Sequence, residues 1–401
     1  MLTATAELYK KSYAGLSRRI WLLSIVMFIN RSGTMVLAFM TLYCKHLGYS
    51  IRQGGIVVAI YGIGSVVGAF LGGKISDRFG FYYTQFGALF MGGILFIVLG
   101  QMRSYESICI CTFFLSMVNE SFRPANATAI THYSDARSRT QSFSLVRLAI
   151  NLGWGFGSAL GGLLASINYH LLFWTDGFTN MAASFMLLLL LPKVTLKQQK
   201  AFSTVTPAEK KAASPYKDRI FLYFLGLQVL FALCFFQMFT TIPLYFKEGL
   251  HLSEWWIGVV MAINGLIIAL IEMVLVYKLE GRRPYLVLMR YGTVLMGLAY
   301  LMLNLPLSSG LLIAFIFILA ITLAEMIAMP FMNSYYISRS SDNNRGQYAG
   351  MYTMAWSVAQ VIGSSIGAVI ANKAGFSTLW VIVFAICLVT AAGYTRLQGK
   401  K

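Results

Sequence analysis

Of the chain's 401 residues, 58% are hydrophobic and 11% charged, less than half the roughly 25% charged share of a soluble domain. That composition describes a membrane protein and excludes a soluble enzyme or free binding module. The formal net charge of +18 would suggest nucleic acid as a partner, but the placement of the basic residues, taken up below, argues for orientation in a membrane instead.

Apolar runs near 20 residues, the length a helix needs to cross a bilayer, are predicted at 20–43, 54–75, 82–101, 106–131, 142–167, 171–191, 220–246, 254–277, 285–304, 310–337, 348–372 and 377–394. Twelve helices, an all-α membrane fold, is the simplest count. Continuous runs of this length argue against an outer-membrane barrel, whose strands are about ten alternating residues. No cleavable signal is expected. The first run is long, carries Asn30 and Arg31, and follows a polar stretch without a small-residue cleavage site.

Arg31 lies about ten residues into span 1, which at 1.5 Å per residue is roughly 15 Å deep, near the bilayer centre. In span 2, Gly64, Gly68 and Gly72 recur four apart, and Gly153, Gly157 and Gly161 in span 5 and Gly363 and Gly367 in span 11 repeat the pattern. Such small residues let helix backbones approach closely in lipid. They are expected to form packing seams, with a sliding contact between two halves as the functional reading and static packing as the alternative. In span 4, Glu120 and Arg123 stand three apart on one helical face and can pair.

The one long break is the basic stretch 192–219, expected to be a cytoplasmic linker between an N-terminal six-helix bundle (1–191) and a C-terminal one (220–401). Span 7 carries Phe231, Phe235, Phe236 and Phe239, with Gln237 and Thr240 between them. Glu272 falls in the inner third of span 8 and Glu325 near the middle of span 10. Arg147 and Arg290 lie close to cytoplasmic ends, within reach of headgroups. A carboxylate at bilayer depth must pair, face water or take up a proton. Glu120 has a partner in its own helix, whereas Glu325 has no cation within a helical turn and is the stronger candidate for a group that changes protonation.

The two halves are a diverged duplication. A shift of 206 carries Gln141 onto Gln347, Gly157 onto Gly363, Gly161 onto Gly367, Trp174 onto Trp380 and Pro124 onto Pro330. Nearer the N-terminus a shift about three residues smaller carries Lys45 onto Lys247 and Asp77 onto Glu280. Most of the 32 Lys and Arg residues fall in the termini and even-to-odd loops; Lys45, Arg52, Arg103, Lys247 and Lys373 are on the other side. The positive-inside rule then puts both termini in the cytoplasm, and the same charge favours anionic headgroups. The five cysteines and four histidines lack the spacing and depth of a metal site, so neither metal nor cofactor is expected. An intramembrane enzyme is disfavoured because the histidines fall in loops or at helix ends.

At the second cytoplasmic turn the chain reads GGKISDRFG, Gly72 to Gly80, which resembles the signature of the major facilitator superfamily. The matching positions are Gly73, Asp77, Arg78 and Gly80, followed by Phe81, Tyr82 and Tyr83 in place of the usual basic pair. Lys278, Glu280, Gly281, Arg282 and Arg283 look like a degraded second copy. Arg123 sits where the family often has a buried helix-four arginine. The segment Gly153–Gly162 is similar to the helix-five motif of the drug/proton antiporter branch, with Ser158 in place of its proline, and Glu325 resembles an acidic position in helix ten of several twelve-helix exporters and also of peptide symporters.

The resemblance implies two pseudo-symmetric six-helix bundles working by alternating access, with substrate near the midplane. In that reading Asp77 and Arg78 latch the cytoplasmic side, and Arg31, Glu120, Arg123 and Glu325 carry proton coupling. Phe231, Phe235, Phe239, Gln237, Tyr335 and Trp356 are expected to line the cavity, with Glu272 and Arg147 in secondary roles. Aromatic walls suit apolar or cationic substrates of varied shape. The expected function is therefore proton-coupled export of amphipathic, drug-like molecules by a monomer in a bacterial inner membrane, with small molecule, protons and lipid as partners and no nucleic acid. Import of a small peptide or sugar with protons is the alternative, since Arg31, Glu120 and Arg123 suit a zwitterion or carboxylate.

Overall fold

A bilayer offers no water to unpaired backbone groups, so apolar segments of this length must satisfy their N–H and C=O groups internally, as helices. The computed structural model describes residues 2–135, 137–195, 214–305 and 309–399 and is helical through them, with no strand among the described residues. In chain order the helices are α1 (Leu2–Tyr13), α2 (Arg18–Ser32), α3 (Val36–His46), α4 (Ile51–Phe79), α5 (Phe81–Gln101), α6 (Tyr105–Glu120), α7 (Phe122–Tyr133), α8 (Arg139–Ile167), α9 (His170–Leu190), α10 (Arg219–Glu248), α11 (Glu254–Leu279), α12 (Tyr285–Leu301), α13 (Gly310–Arg339) and α14 (Arg345–Gln398).

Span 1 is α2 with α3 and span 4 is α6 with α7. Spans 11 and 12 are the two parts of α14, joined at Gly375, whose φ of 83° breaks the helical path. Counted so, the described helices make twelve spans. Helix α1 is additional: the polar N-terminal stretch folds, and Tyr9 Oη donates to the carbonyl of Leu270 on α11. The expected linker at 192–219 lies mostly outside the described residues. At its end, Asp218 accepts from the N–H groups of Ile220 and Phe221 at 3.1 Å each and takes a two-pronged contact from Arg339, at 2.9 Å for each bond. It thereby caps α10.

The chain divides into two compact units. One, here the N-terminal unit, holds Gly15–Pro215 with Ser340–Ser357; the C-terminal unit holds Met1–Ala14, Tyr216–Arg339 and Val358–Lys401.

In the N-terminal unit the span 2 glycines let α4 lie directly on α6. A Cβ on Gly64 would stand 2.6 Å from the carbonyl oxygen of Phe113, and one on Gly68 or Gly72 would overlap the backbone of Met117 or Ser121. Helix α2 lies against α8 and α9. In the C-terminal unit α13 is flanked by α11 and α12, with Gly292 against the carbonyl of Ala324. Trp380 is fully buried there, its ring 5.4 Å from those of both Tyr300 and Tyr245.

Candidate functional site

Three of the four residues expected to carry proton coupling, Arg31, Glu120 and Arg123, belong to the N-terminal unit, and Glu325 to the other. Helices α6 and α7 meet at Ser121 in a tightened turn, its N–H donating to Asn119 and Val118, and this leaves Glu120 and Arg123 on one side. Arg123 donates from one guanidinium nitrogen to Glu120 Oε2 at 3.2 Å, with the Glu120 side chain 11% and the Arg123 side chain 40% exposed. Arg31, on the last turn of α2, is in electrostatic reach of Glu120, Arg123 and Tyr61. Its Nε has no hydrogen-bond partner among the described residues. Arg147 on α8 and Arg123 both act on Tyr352.

The C-terminal unit holds the second carboxylate differently. Glu325 is buried on α13, and Asn264 Nδ2 on α11 donates to its Oε1 at 2.6 Å and to Thr322 Oγ1 at 2.9 Å. Thr322 Oγ1 in turn donates to the carbonyl of Ile318. Glu272, equally buried on α11, faces Tyr13 of α1. Burial first, then Tyr9 and Glu272, push the Tyr13 phenol above its ordinary pKa.

Asp77 meets backbone amides, with Arg345 in electrostatic reach. Its two carboxylate oxygens accept from the N–H groups of Gly346 and Gln347, at 2.7 and 2.9 Å. These amides open α14, where unpaired N–H groups and the helix dipole favour an anion. Gly73 makes the approach possible, since a Cβ there would stand 2.5 Å from the Gly346 carbonyl oxygen. Arg345, beside these amides, pairs with Asp342. Arg78 points away, exposed over the ring of Phe79 at 5.3 Å. Gly80, at φ 92°, ends α4 in a conformation that glycine adopts without steric cost.

The proposed cavity lining is dispersed. Phe231 and Phe235 are buried and stacked at 6.5 Å, and Phe239, at 5.4 Å from Phe235, is exposed. Gln237 is committed elsewhere. Its Nδ-equivalent amide nitrogen, Nε2, donates to the carbonyls of Gly363 at 2.8 Å and Leu233 at 3.0 Å, while its Oε1 accepts from Thr241 at 2.9 Å. It staples α10 to α14 in place of offering a free amide. Tyr335 packs on Phe224 at 4.8 Å in the C-terminal unit, and Trp356 lies near Tyr352 in the N-terminal unit. The glycine seams also close inside the units. Gly153 and Gly157 back onto the Phe28 and Ser32 carbonyls, each 2.8 Å from a Cβ position, and Gly161 backs onto Met35 and Phe39. Gly363 and Gly367 back onto Leu233 and Gln237. Small residues accept a neighbour's bare backbone, and the nearest such backbone belongs to the adjoining helix of the same unit.

Sequence reasoning missed Asp176 and Asn264. Both are polar residues well inside apolar spans, the signal used to single out Glu120 and Glu325. Asp176, on α9 and 1% exposed, accepts from the N–H of Met35 at 3.1 and 3.0 Å and of Val36 at 2.8 Å, where span 1 breaks.

Comparison with known proteins agrees with this architecture. The chain is similar to the human organic anion transporter MFSD10 (TETRAN), whose crystal structure superposes with a TM-score of 0.71 at 16% identity, covering 94% of this chain and 99% of that one. It is 25% identical over 370 residues to a Na(+), Li(+), K(+)/H(+) antiporter of Planococcus maritimus, spanning 84% of this chain and 85% of the relative. It is 21% identical to multidrug resistance protein 2 of Bacillus subtilis, over 84% of each chain. The model of the Major Facilitator Superfamily matches residues 20–364. The chain is thus an integral membrane transporter, not an enzyme, and belongs to the Major Facilitator Superfamily.

Proposed function

We propose that the protein is a proton-coupled antiporter that exports amphipathic, drug-like molecules by alternating access. The observation that carries this reading is the contrast between its carboxylates: Glu120 faces a guanidinium, while Glu325 accepts from the neutral amide of Asn264 at 2.6 Å. A buried carboxyl that accepts from an amide is a site where a proton can be taken up and released, which is what a proton carrier requires. Relatives named as an antiporter and as multidrug resistance proteins support the direction and the substrate class. Both termini cytoplasmic, in a bacterial inner membrane, is the orientation the basic residues favour, and a monomer with its lipid shell suffices for this mechanism.

Proteoliposome transport tests the reading. An antiporter accumulates a lipophilic cation on the side that supplies protons, so a vesicle loaded acid inside takes up the probe and one loaded alkaline inside does not. Uptake with the opposite sign, and confined to a peptide or sugar, would replace export by proton-driven import. In either case Glu325→Gln is expected to abolish the gradient-driven part while the protein remains in the membrane.

A second reading has an observation of its own. Glu325 and Thr322 present carboxylate and hydroxyl oxygens at one buried place, bridged by the amide nitrogen of Asn264, and hard oxygen donors are what hard cations take. The Planococcus relative is named for Na(+), Li(+) and K(+) exchange with H(+). Under this reading the exported solute is a monovalent cation. Proton release from vesicles on addition of Na(+) or Li(+), without any drug, would favour it over drug export.

A further inference from the structure

Span 1 is broken in a place where breaking is costly. Helix α2 ends at Ser32, and the carbonyl of Arg31, which Met35 would bond in an unbroken helix, is taken by the N–H groups of Gly33 and, at 3.3 Å, Thr34. Thr34 Oγ1 turns back to the carbonyl of Asn30 at 3.4 Å. Helix α3 then starts afresh, with the N–H groups of Ala38 and Phe39 bonding to the Met35 carbonyl. The break therefore leaves the N–H groups of Met35 and Val36 without partners inside their own helix. Each would be an orphan donor inside an apolar membrane protein, where an unsatisfied amide is strongly unfavourable. Asp176, from α9, takes both.

Everything around the break is built to the same end. Asn30 Nδ2 donates to Asn180 Oδ1 at 2.9 Å, one turn along α9 from Asp176, and Asn180 Nδ2 donates to the Asp176 carbonyl at 2.8 Å. Gly33 is the residue that lets α9 in, because a Cβ there would coincide with Thr179 Oγ1. On the other side Gly157 of α8 lies against the carbonyls of Arg31 and Ser32, the second of which loses its helical partner when the Val36 N–H turns to Asp176. The last side chain before the interruption with a charge is Arg31.

We infer that Asp176 is a positioning residue. Its carboxylate holds span 1 in two pieces, and the interruption sets where Arg31 stands relative to Glu120 and Arg123. Asp176 acts through the backbone of Met35 and Val36 and is assigned no contact with substrate. The role of Arg31 in transport rests on the function proposed above; the effect of Asp176 on the course of span 1 does not.

The test uses the full-length protein in a cysteine-free background, with spin labels at Trp21→Cys and Leu42→Cys, exposed positions on α2 and α3. Asp176→Ala should shift or broaden the distance between the labels, and lower the transport rate per folded molecule by about tenfold or more, the scale expected for buried amides that lose a charged acceptor. Asp176→Asn keeps one acceptor oxygen and should fall between. Folded yield, measured beside the label distance, separates a shift in span 1 from loss of the fold, and Asp176→Asn carries the measurement should Asp176→Ala fail to fold. An unchanged label distance in Asp176→Ala, or in Asp176→Asn where that is the variant that folds, overturns the inference. Because the label distance needs no substrate, a transport assay that fails for every variant would count against the proposed function and leave the assignment of Asp176 standing or falling on the distances.

Discussion

The two carboxylates proposed for proton coupling make the instructive comparison. Glu120 meets Arg123 across one turn of its own span, an ion pair half open to its surroundings on the arginine side. Glu325 is buried and meets the amide of Asn264, a residue 61 positions away on another helix. The first contact is local and charge-assisted, so removing its charge leaves a guanidinium unpaired. The second is tertiary and made to a neutral amide, so this contact is not an ion pair that protonation would break. Two acidic residues of similar depth are thereby suited to different work, one to holding a charge in place and one to carrying it.

The sharpest way to break this comparison is Glu325→Gln. Gradient-driven transport should fall at least about a hundredfold, the scale for losing an essential acid–base group, with the protein still folded in the membrane. Transport at the normal rate would remove Glu325 from the mechanism and leave Glu120 as the carrier. Next in size, Arg123→Ala should cost about 1 kcal/mol in thermal stability, a figure discounted for the exposure of the arginine. If Glu120 is a charge-holding group, Arg123→Lys should recover most of that loss. Asn264→Leu should strip Glu325 of its amide and alter the pH at which transport is half-maximal, whereas a change in rate with no change in pH profile would make Asn264 a packing residue.

An effect of the same size is expected at Asp77. Asp77→Ala removes the acceptor for two amides at the start of α14 and should cost about 1 kcal/mol, as loss of a helix cap does; Asp77→Asn should cost less, and Arg78→Ala less again, because Arg78 is exposed over the ring of Phe79. Equal losses at Asp77 and Arg78 in thermal unfolding would restore the idea that the pair acts as one latch. The smallest effect belongs to Lys11→Ala, which breaks an exposed pair with Glu7 at 2.7 Å and should stay within about 0.5 kcal/mol.

The residues that could be read correctly in advance were those whose meaning is local. Apolar runs fix helices because lipid leaves no alternative, and Glu120 with Arg123 is a pair by helical spacing alone. Gln237 shows where such reading stops. Among the phenylalanines of span 7 it looked like a cavity amide, yet both ends of its side chain are taken by Gly363, Leu233 and Thr241. Asp77 shows the same limit, since the amides it meets belong to Gly346 and Gln347 on another helix.

Length, hydrophobic runs and basic-residue placement thus determined, without coordinates, that this is a twelve-span helical membrane protein, because each of those properties follows from the solvent a segment must inhabit; the transport reading came from the motifs it shares with a family. Partnership was decided only by the tertiary structure. Asp176 with Met35 and Val36, Asn264 with Glu325, and Asp77 with Gly346 and Gln347 all join helices distant in sequence. The apolar character of a span says that a buried polar group must find a partner, while the packing of neighbouring helices selects which one is within reach.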